Sequence, residues 1–489
     1  MPEYDPLLDG LKEECGVFAV HAPGEDVARL AYFGLYALQH RGQESAGIAV
    51  ASGDEIRCYK NMGLVTRAFE EKILALMRGD AAVGHVRYST TGDSVEENAQ
   101  PVHSRAEREI ALGHNGNLVN TATFRENLIN DGVKLRSTTD SEVIAEMIAR
   151  DPAPTVEEAI VGVASKIRGA FSIALLANGR VYAFRDPLGI RPLCIGRLNA
   201  SGWVVASESC ALNIVGAERL RDVEPGEIVA IDRNGPRTVH RLKSERRATC
   251  IFEFIYFARP DSYILDRSLY HCRKLMGQTL AAESPAAGDI VISVPDSGTP
   301  AAIGFAKASG IPYEEGLIKN RYVGRTFIQP DQRIRSLGIK IKLNPLLETI
   351  GGKRVVLVDD SIVRGTTSSQ IIGILKEHGA GEVHVRVSSP PVRNPCFYGI
   401  DTAEREELLA SSRTIEEVQS HIGADSLRYL SIEGMIKSTG LDKSNFCLAC
   451  FNNDYPIPIP QQLHLTKLSF EDKKKIPAKE NLFVNLVKR

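Results

Sequence analysis

The sequence predicts a two-domain α/β protein, layered and largely antiparallel in its first half and a doubly wound parallel sheet in its second. Three observations carry that expectation. At 489 residues the chain is longer than one hydrophobic core ordinarily supports, so two domains of about 200–250 residues each are expected. In the first half, short apolar runs bounded by turn signals alternate with helical patches. Beyond the basic stretch at residues 244–249, SERRAT, strand, Gly/Ser/Thr-rich loop and helix follow one another in the order that builds a parallel sheet.

Taken in order, the β-like runs of the first half begin at Gly16 (GVFAV), Ala46 (AGIAV), Ala82 (AVGHVRYS), Phe171 (FSIALLA) and Val181 (VYAFR). The segment EIVAIDRNGPRTVHRL alternates with period two on both sides of Asn234-Gly235, the signal of a hairpin. SEVIAEMIAR and PTVEEAIVGVASKI carry helical spacing between these runs, which gives a layered α/β arrangement with antiparallel pairing. In the second half DIVISV leads into PDSGT and an apolar helix. RVVLVDD then leads into SIVRGTT and a helix ending near Gly379, and EVHVRVSS forms the next strand. From about His464 the chain holds Lys473, Lys474 and Lys475 with little periodicity, which reads as a solvated tail with a terminal helix.

Composition narrows the function. Hydrophobic residues at 43% and charged residues at 25% are ordinary for a globular protein, and no apolar run approaches the roughly 20 residues that span a bilayer. A net charge of −2 and a single Trp argue against the global field and the stacking surface of a nucleic-acid binder. The first fourteen residues carry five acids and one Lys without an apolar segment, so they do not read as a secretory signal, and the cytoplasm is the expected compartment. Nine cysteines without a framework spacing make a disulfide scaffold a poor reading.

The densest local signal is the string from Val355 to Thr367. Its four apolar residues make a strand buried on both faces, and Asp359 and Asp360 stand at its carboxyl end, where open α/β sheets place ligands. Ser361, Arg364, Gly365, Thr366 and Thr367 follow at a helix start, where backbone N–H groups and the macrodipole favour an anion. Acids at a strand end also serve as solvated turn residues, and response-regulator folds carry a similar pair. The whole string resembles the motif of type I phosphoribosyltransferases, which bind phosphoribosyl pyrophosphate (PRPP). The resemblance implies that Asp359 and Asp360 face the ribose hydroxyls and a Mg²⁺ ion, while residues 361–367 hold the 5-phosphate.

PDSGT at 295–299 is by itself a common turn. Opening a second strand–helix unit, it resembles the pyrophosphate loop of the same family, and the resemblance makes Ser297 a metal position. Between the two loops, residues 319–342 hold seven basic residues, beginning with Lys319, and one acid, Asp331. Such density marks a solvated face or a nucleic-acid patch. With Gly324 and Gly338 as flexible points it also suits a lid over an anionic substrate, with Lys319 a candidate PRPP ligand.

In the first half Cys15 directly precedes an apolar strand, a position where a lone Cys is usually inert packing. Three further segments change its reading: residues 39–47 (QHRGQESAG), 84–90 (GHVRYST) and 113–117 (GHNGN). Together with Cys15 they resemble the N-terminal-nucleophile glutamine amidotransferases, over most of residues 15–240. Ala19 departs from the Gly usual in that motif. The resemblance implies an αββα sandwich and removal of the leader, so that the freed α-amino group of Cys15, with a pKa near 8, serves as base for the thiol. It also implies an oxyanion hole from the Asn115 side chain and the Gly116 N–H. Asn115-Gly116 reads equally as a type I′ hairpin turn. Arg87 offers a planar fork for the glutamine α-carboxylate and Asp140 an acceptor for its α-ammonium, although Ser137 to Glu142 is also a helix-capping sequence.

Cys447-Leu448-Ala449-Cys450 is compatible with zinc, a redox couple or an iron–sulfur cluster. With Cys250 and Cys396 in their contexts, the set resembles the iron–sulfur subgroup of the amidophosphoribosyltransferases, and the resemblance implies a [4Fe–4S] cluster on the four thiolates. Cys58, Cys194, Cys210 and Cys272 show no partner pattern and read as packing.

A glutaminase half followed by a PRPP half implies 5-phosphoribosylamine, glutamate and pyrophosphate as products, the first committed step of purine synthesis. The domains expected are a propeptide at 1–14, the amidotransferase at 15–245, the phosphoribosyltransferase at 246–460 and a tail at 461–489. The resemblance further implies a homotetramer under feedback by purine nucleotides. An amidotransferase with a sugar-phosphate acceptor shares only the first domain, and a PRPP-sensing regulator needs no nucleophilic Cys.

Overall fold

The computed structural model describes residues 15–88, 94–200, 202–320, 342–400, 402 and 405–459. The expected leader, nearly all of the basic segment between Lys319 and Lys342, and the C-terminal tail lie outside the described residues.

Among the described residues the first half forms thirteen strands. These are β1 (Gly16–His21), β2 (Ser45–Ser52), β3 (Glu55–Met62), β4 (Ala81–Arg87), β5 (Val102–Arg105), β6 (Glu109–Leu118) and β7 (Gly169–Ala177). They continue as β8 (Arg180–Arg185), β9 (Cys194–Arg197), β10 (Trp203–Ala206), β11 (Glu218–Asp222), β12 (Glu227–Asp232) and β13 (Gly235–Arg241). One sheet has the order β11-β9-β10-β1-β4-β2-β3, the other β13-β12-β8-β7-β6-β5. Pairing is antiparallel throughout.

Side-chain alternation between two packed faces explains why β1 and β7 are buried along their whole length. On β1, Val17 and Ala19 join Ala174, Leu176 and Ala183 of the facing sheet in a shared core. Phe18 and Val20 point the other way, under helix α1 (Val27–Ala37), against Ala31 and Leu35. On β7 the outward residues Phe171, Ile173 and Leu175 pack beneath α2 (Asp140–Arg150) and α3 (Val156–Ala164). The order helix, sheet, sheet, helix is the αββα sandwich expected. The Asn234-Gly235 hairpin forms between β12 and β13, with Asp232 opposite Gly235 and Gly235 at φ +100°.

The second half carries α4 (Leu269–Glu283), β14 (Ile290–Ser293), α5 (Thr299–Ser309), β15 (Arg354–Asp359) and α6 (Thr366–Glu377). After these come β16 (Glu382–Val387), α7 (Ile415–Ile422), β17 (Ser426–Tyr429) and α8 (Ile432–Thr439). The four strands are parallel in the order β14-β15-β16-β17. On β15, Val355 and Leu357 pack with Ile371 and Leu375 of α6, whereas Val356 and Val358 pack with Met276 of α4 and Phe305 of α5. Both faces are therefore dry, which is why Val355 to Val358 are all apolar. The two ends of this half meet where Thr249–Cys250 pairs in parallel with Phe446–Cys447.

Candidate active site

Cys15 enters β1 with its thiol buried. Sγ donates to the Tyr88 carbonyl at 3.3 Å, and burial pushes the thiol up to about 11, against the opposing pull of that bond and of Arg87. Cys15, Arg87, Gly116 and Asp140 line one small cavity together with Tyr88, Gln100, His114, Thr139 and Ser141. Four residues distant in sequence thus share one space.

Asp140 has been released from capping. Thr139 is the N-cap of α2 and accepts from the Glu142 N–H, while the Glu142 carboxylate accepts from the Arg136 and Ser137 N–H groups at 2.8 and 2.7 Å. The Asp140 carboxylate accepts from Leu118 N–H at 3.0 Å and from Ser141 Oγ at 3.3 Å, with His114 Nδ1 at 3.7 Å. Burial works against its charge, yet His114 and these donors hold it below the usual carboxylate range. Arg87 Nη1 stands 3.6 Å from Glu44.

Asn115 and Gly116 are not a hairpin turn. They lie in the ten-residue strand β6, opposite Ser172 and Phe171 of β7. The Asn115 side chain is buried, and its Nδ2 has no hydrogen-bond partner, a costly state for a dry amide donor. Gly116 has φ +144°, and a Cβ there would stand 2.1 Å from the Ala170 carbonyl oxygen, so only Gly fits. Support comes from Gln100 and His85, which carry no expected role. Gln100 Oε1 accepts from His114 N–H at 2.8 Å. His85, kept neutral by burial at about 3, bonds the His114 carbonyl through Nε2 at 3.0 Å.

In the second half Asp359 and Asp360 are buried at the end of β15. Asp359 Oδ1 accepts from Asp360 N–H at 2.9 Å, and Asp360 Oδ1 from Ser361 Oγ at 2.6 Å. Burial and the adjacent Asp360 charge hold Asp359 well above the usual range. Burial also raises Asp360, against hydrogen bonds from Ser297 and Ser361 and the nearby Arg273 charge. Ser297 of the second loop therefore lies near Asp360. Gly365 at φ +84° caps α6, which Thr366 and Thr367 open. Arg364 Nε donates to Glu407 at 3.2 Å, and Lys319 Nζ to Asp296 at 2.6 Å across the PDSGT loop.

The four cysteines also gather. Cys250 and Cys447 are register partners. The Cys450 carbonyl accepts from Arg393 and Asn394 N–H at 2.9 and 3.0 Å, which brings the segment of Cys396 alongside. Burial raises the Cys450 thiol well above its ordinary value, and Cys447, Cys250 and Cys396 add to it. Among the described residues no three His, Cys, Asp or Glu groups are placed to hold a single metal ion. A cluster inserts its own inorganic core between the thiolates and takes a wider pocket, so an all-thiol set in mutual electrostatic reach fits it.

A buried thiol sharing a cavity with Arg87, Gly116 and Asp140 in one half, and acids at a glycine-turned helix start in the other, suit amide cleavage and ribosyl-phosphate binding. The fold and its two centres define a glutamine amidotransferase joined to a phosphoribosyltransferase. Comparison agrees: residues 85–213 match the family model described as a glutamine amidotransferase domain. An amidophosphoribosyltransferase of a Synechocystis strain is 54% identical over 471 residues, 95% of each chain. Another, of a Synechococcus elongatus strain, is 52% identical over 469 residues, again 95% of each. The solved glutamine PRPP amidotransferase from B. subtilis complexed with ADP and GMP superposes with a TM-score of 0.86 at 46% identity, covering 92% of this chain and 98% of its own. The chain belongs to the amidophosphoribosyltransferases and is an enzyme of that activity.

Proposed function

We propose that the chain cleaves glutamine at Cys15 and delivers the ammonia to PRPP held over Asp359 and Asp360, giving 5-phosphoribosylamine, glutamate and pyrophosphate at the entry to purine synthesis. The observation that supports this reading is that the two halves are in direct contact beside the first cavity. Asn117, one residue past Gly116, donates through Nδ2 to the Phe397 carbonyl of the second half at 3.1 Å. A route across this contact that excludes bulk water would deliver the ammonia unprotonated.

With the leader removed, the α-amino group of Cys15 takes the thiol proton, the sulfur attacks the amide carbon, the C–N bond breaks as that proton passes to the departing ammonia, and water then hydrolyses the thioester to glutamate. Asn115 Nδ2 and the Gly116 N–H receive the oxyanion. Arg87 pairs with the substrate α-carboxylate and Asp140 with its α-ammonium. In the second half, residues 361–367 hold the 5-phosphate, Asp359 and Asp360 the ribose hydroxyls, and Lys319 the pyrophosphate side. Asp359, Asp360 and Ser297 would hold Mg²⁺, which neutralises charge on the departing pyrophosphate. Cys250, Cys396, Cys447 and Cys450 would hold a [4Fe–4S] cluster that ties the beginning of this half to its end. We extend the reading to purine-nucleotide feedback, a homotetramer and a cytoplasmic setting. No helix among the described residues is long and apolar enough to cross a membrane.

Two variants test the division of labour by pyrophosphate release with glutamine or with ammonium as nitrogen source. Cys15→Ser should abolish the first and keep the second, whereas Asp359→Asn should abolish both. Retention of glutamine-supported synthesis by Cys15→Ser would sink the proposal.

A further inference from the structure

Arg41 is a fully buried cation placed between the two halves of the molecule. Its Nε donates to the carbonyl oxygen of Cys15 at 3.1 Å. Nη1 donates to Glu208 at 2.6 Å and to Glu253 at 3.0 Å, and Nη2 to the other Glu253 oxygen at 2.7 Å. Glu208 belongs to the first half and Glu253 to the second, and neither carboxylate is exposed. The fork on Glu253 is bidentate, the geometry that fixes a guanidinium in both direction and roll.

Glu253 is itself anchored in the second half. It opens the helical turn Glu253–Phe257. The carbonyls of Glu253, Phe254 and Ala258 accept from the buried Arg273 of α4 at 3.4, 2.8 and 2.6 Å. Arg273 lies close enough to Asp360 to stabilise its charge. An unbroken set of buried polar contacts therefore runs from the Cys15 carbonyl through Arg41, Glu253 and Arg273 to the vicinity of the carboxylate pair.

We propose that Arg41 and Glu253 are positioning residues for glutamine cleavage: the second half, through Glu253, holds Arg41 against the Cys15 carbonyl and so sets where the thiol points. The carbonyl carbon is bonded to the Cys15 Cα, so a shift of the guanidinium is passed to the nucleophile. A misplacement of about 1 Å costs on the order of 100-fold in rate. Removing the Glu253 charge leaves Arg41 held by Glu208 of its own half, without the bidentate fork that fixes its direction and roll, and Arg41 is the residue touching Cys15. This inference rests on Cys15 being the nucleophile.

The test uses the full chain carrying Glu253→Gln or Glu253→Asp, assayed for glutaminase kcat and KM and for ammonium-supported pyrophosphate release. Glu253→Gln should lower the glutaminase kcat at least about tenfold with KM little changed, and leave the ammonium reaction within about twofold. Glu253→Asp, which keeps the charge and loses reach, should fall between parent and Gln variant. It carries the test alone if the Gln variant does not fold. A glutaminase kcat within about twofold of the parent overturns the proposal, as does a parallel fall of both reactions, which marks a general loss of packing. Cys15→Ser in the same assays separates the two readings. If it keeps glutaminase activity the nucleophile assignment fails. If it is inactive while Glu253→Gln is normal, only the positioning role fails.

Discussion

Asn115 holds a buried amide donor with nothing to bond, a cost that folding alone does not repay. A developing oxyanion would repay it. Asn115→Ala should therefore lower the glutaminase kcat by roughly 10²–10³-fold, about 3–4 kcal/mol, and leave ammonium-supported synthesis intact; steady-state kinetics with each nitrogen source checks both halves of that statement. Cys15 makes a second prediction. Inside the peptide its thiol is pushed up to about 11, so only the small thiolate fraction reacts near neutrality. Alkylation of the leader-bearing chain by iodoacetamide should keep rising with pH to about 11, whereas the chain beginning at Cys15 should level off lower. Mass spectrometry of the alkylated peptide across pH decides it. That Cys15, Arg87 and Asp140 line one cavity was legible in the sequence through the segments at 39–47, 84–90 and 113–117 that resemble the glutamine amidotransferases. Gln100 and His85 were not, since they act through backbone groups that only folding brings near.

At the scale of the element, β15 and α6 bring paired acids, a glycine turn and a helix start to one point. Gly365 turns the chain at φ +84°, and a Cβ there would stand 2.4 Å from Leu409 Cδ2. Gly365→Ala should destabilise the loop by about 1–3 kcal/mol and raise the KM for PRPP more than that for glutamine, as melting curves and kinetics would record. This unit was fully legible, because apolar run, paired acids and Gly/Thr loop are consecutive. The Asn115-Gly116 pair shows the opposite case. The dipeptide carries a turn signal, but nine register pairs with β7 along residues 110–118 draw it into a strand, and pairing across 50 or so residues is invisible to a local pattern. Capping at Thr139 was readable as a sequence, while the division of work between Thr139 and Asp140 became clear only from where each side chain points.

For the whole molecule, the parallel pairing of Cys250 with Cys447 and the approach of Cys396 and Cys450 draw the ends of the second half together. Anaerobically purified protein should carry about four irons and four sulfides per chain, and Cys447→Ser should lose them and lower the melting temperature; iron and sulfide analysis with calorimetry checks this. The same half supplies Glu253 to Arg41, Phe397 to Asn117 and Tyr398 to Arg191, whose Nε and Nη2 donate to its carbonyl at 3.0 and 2.8 Å. The two-domain plan was evident from length and from the change of pattern near residue 245. The joint was not, because each of its contacts pairs residues more than 200 positions apart, and neither partner is unusual alone. The proposed transfer of ammonia across this joint requires that water be kept out of its path. The direct test is synthesis from glutamine labelled with ¹⁵N in the amide, in the presence of excess unlabelled ammonium. Product enriched in ¹⁵N well beyond the label's share of free ammonia is the predicted result, and product matching the bulk pool would contradict it.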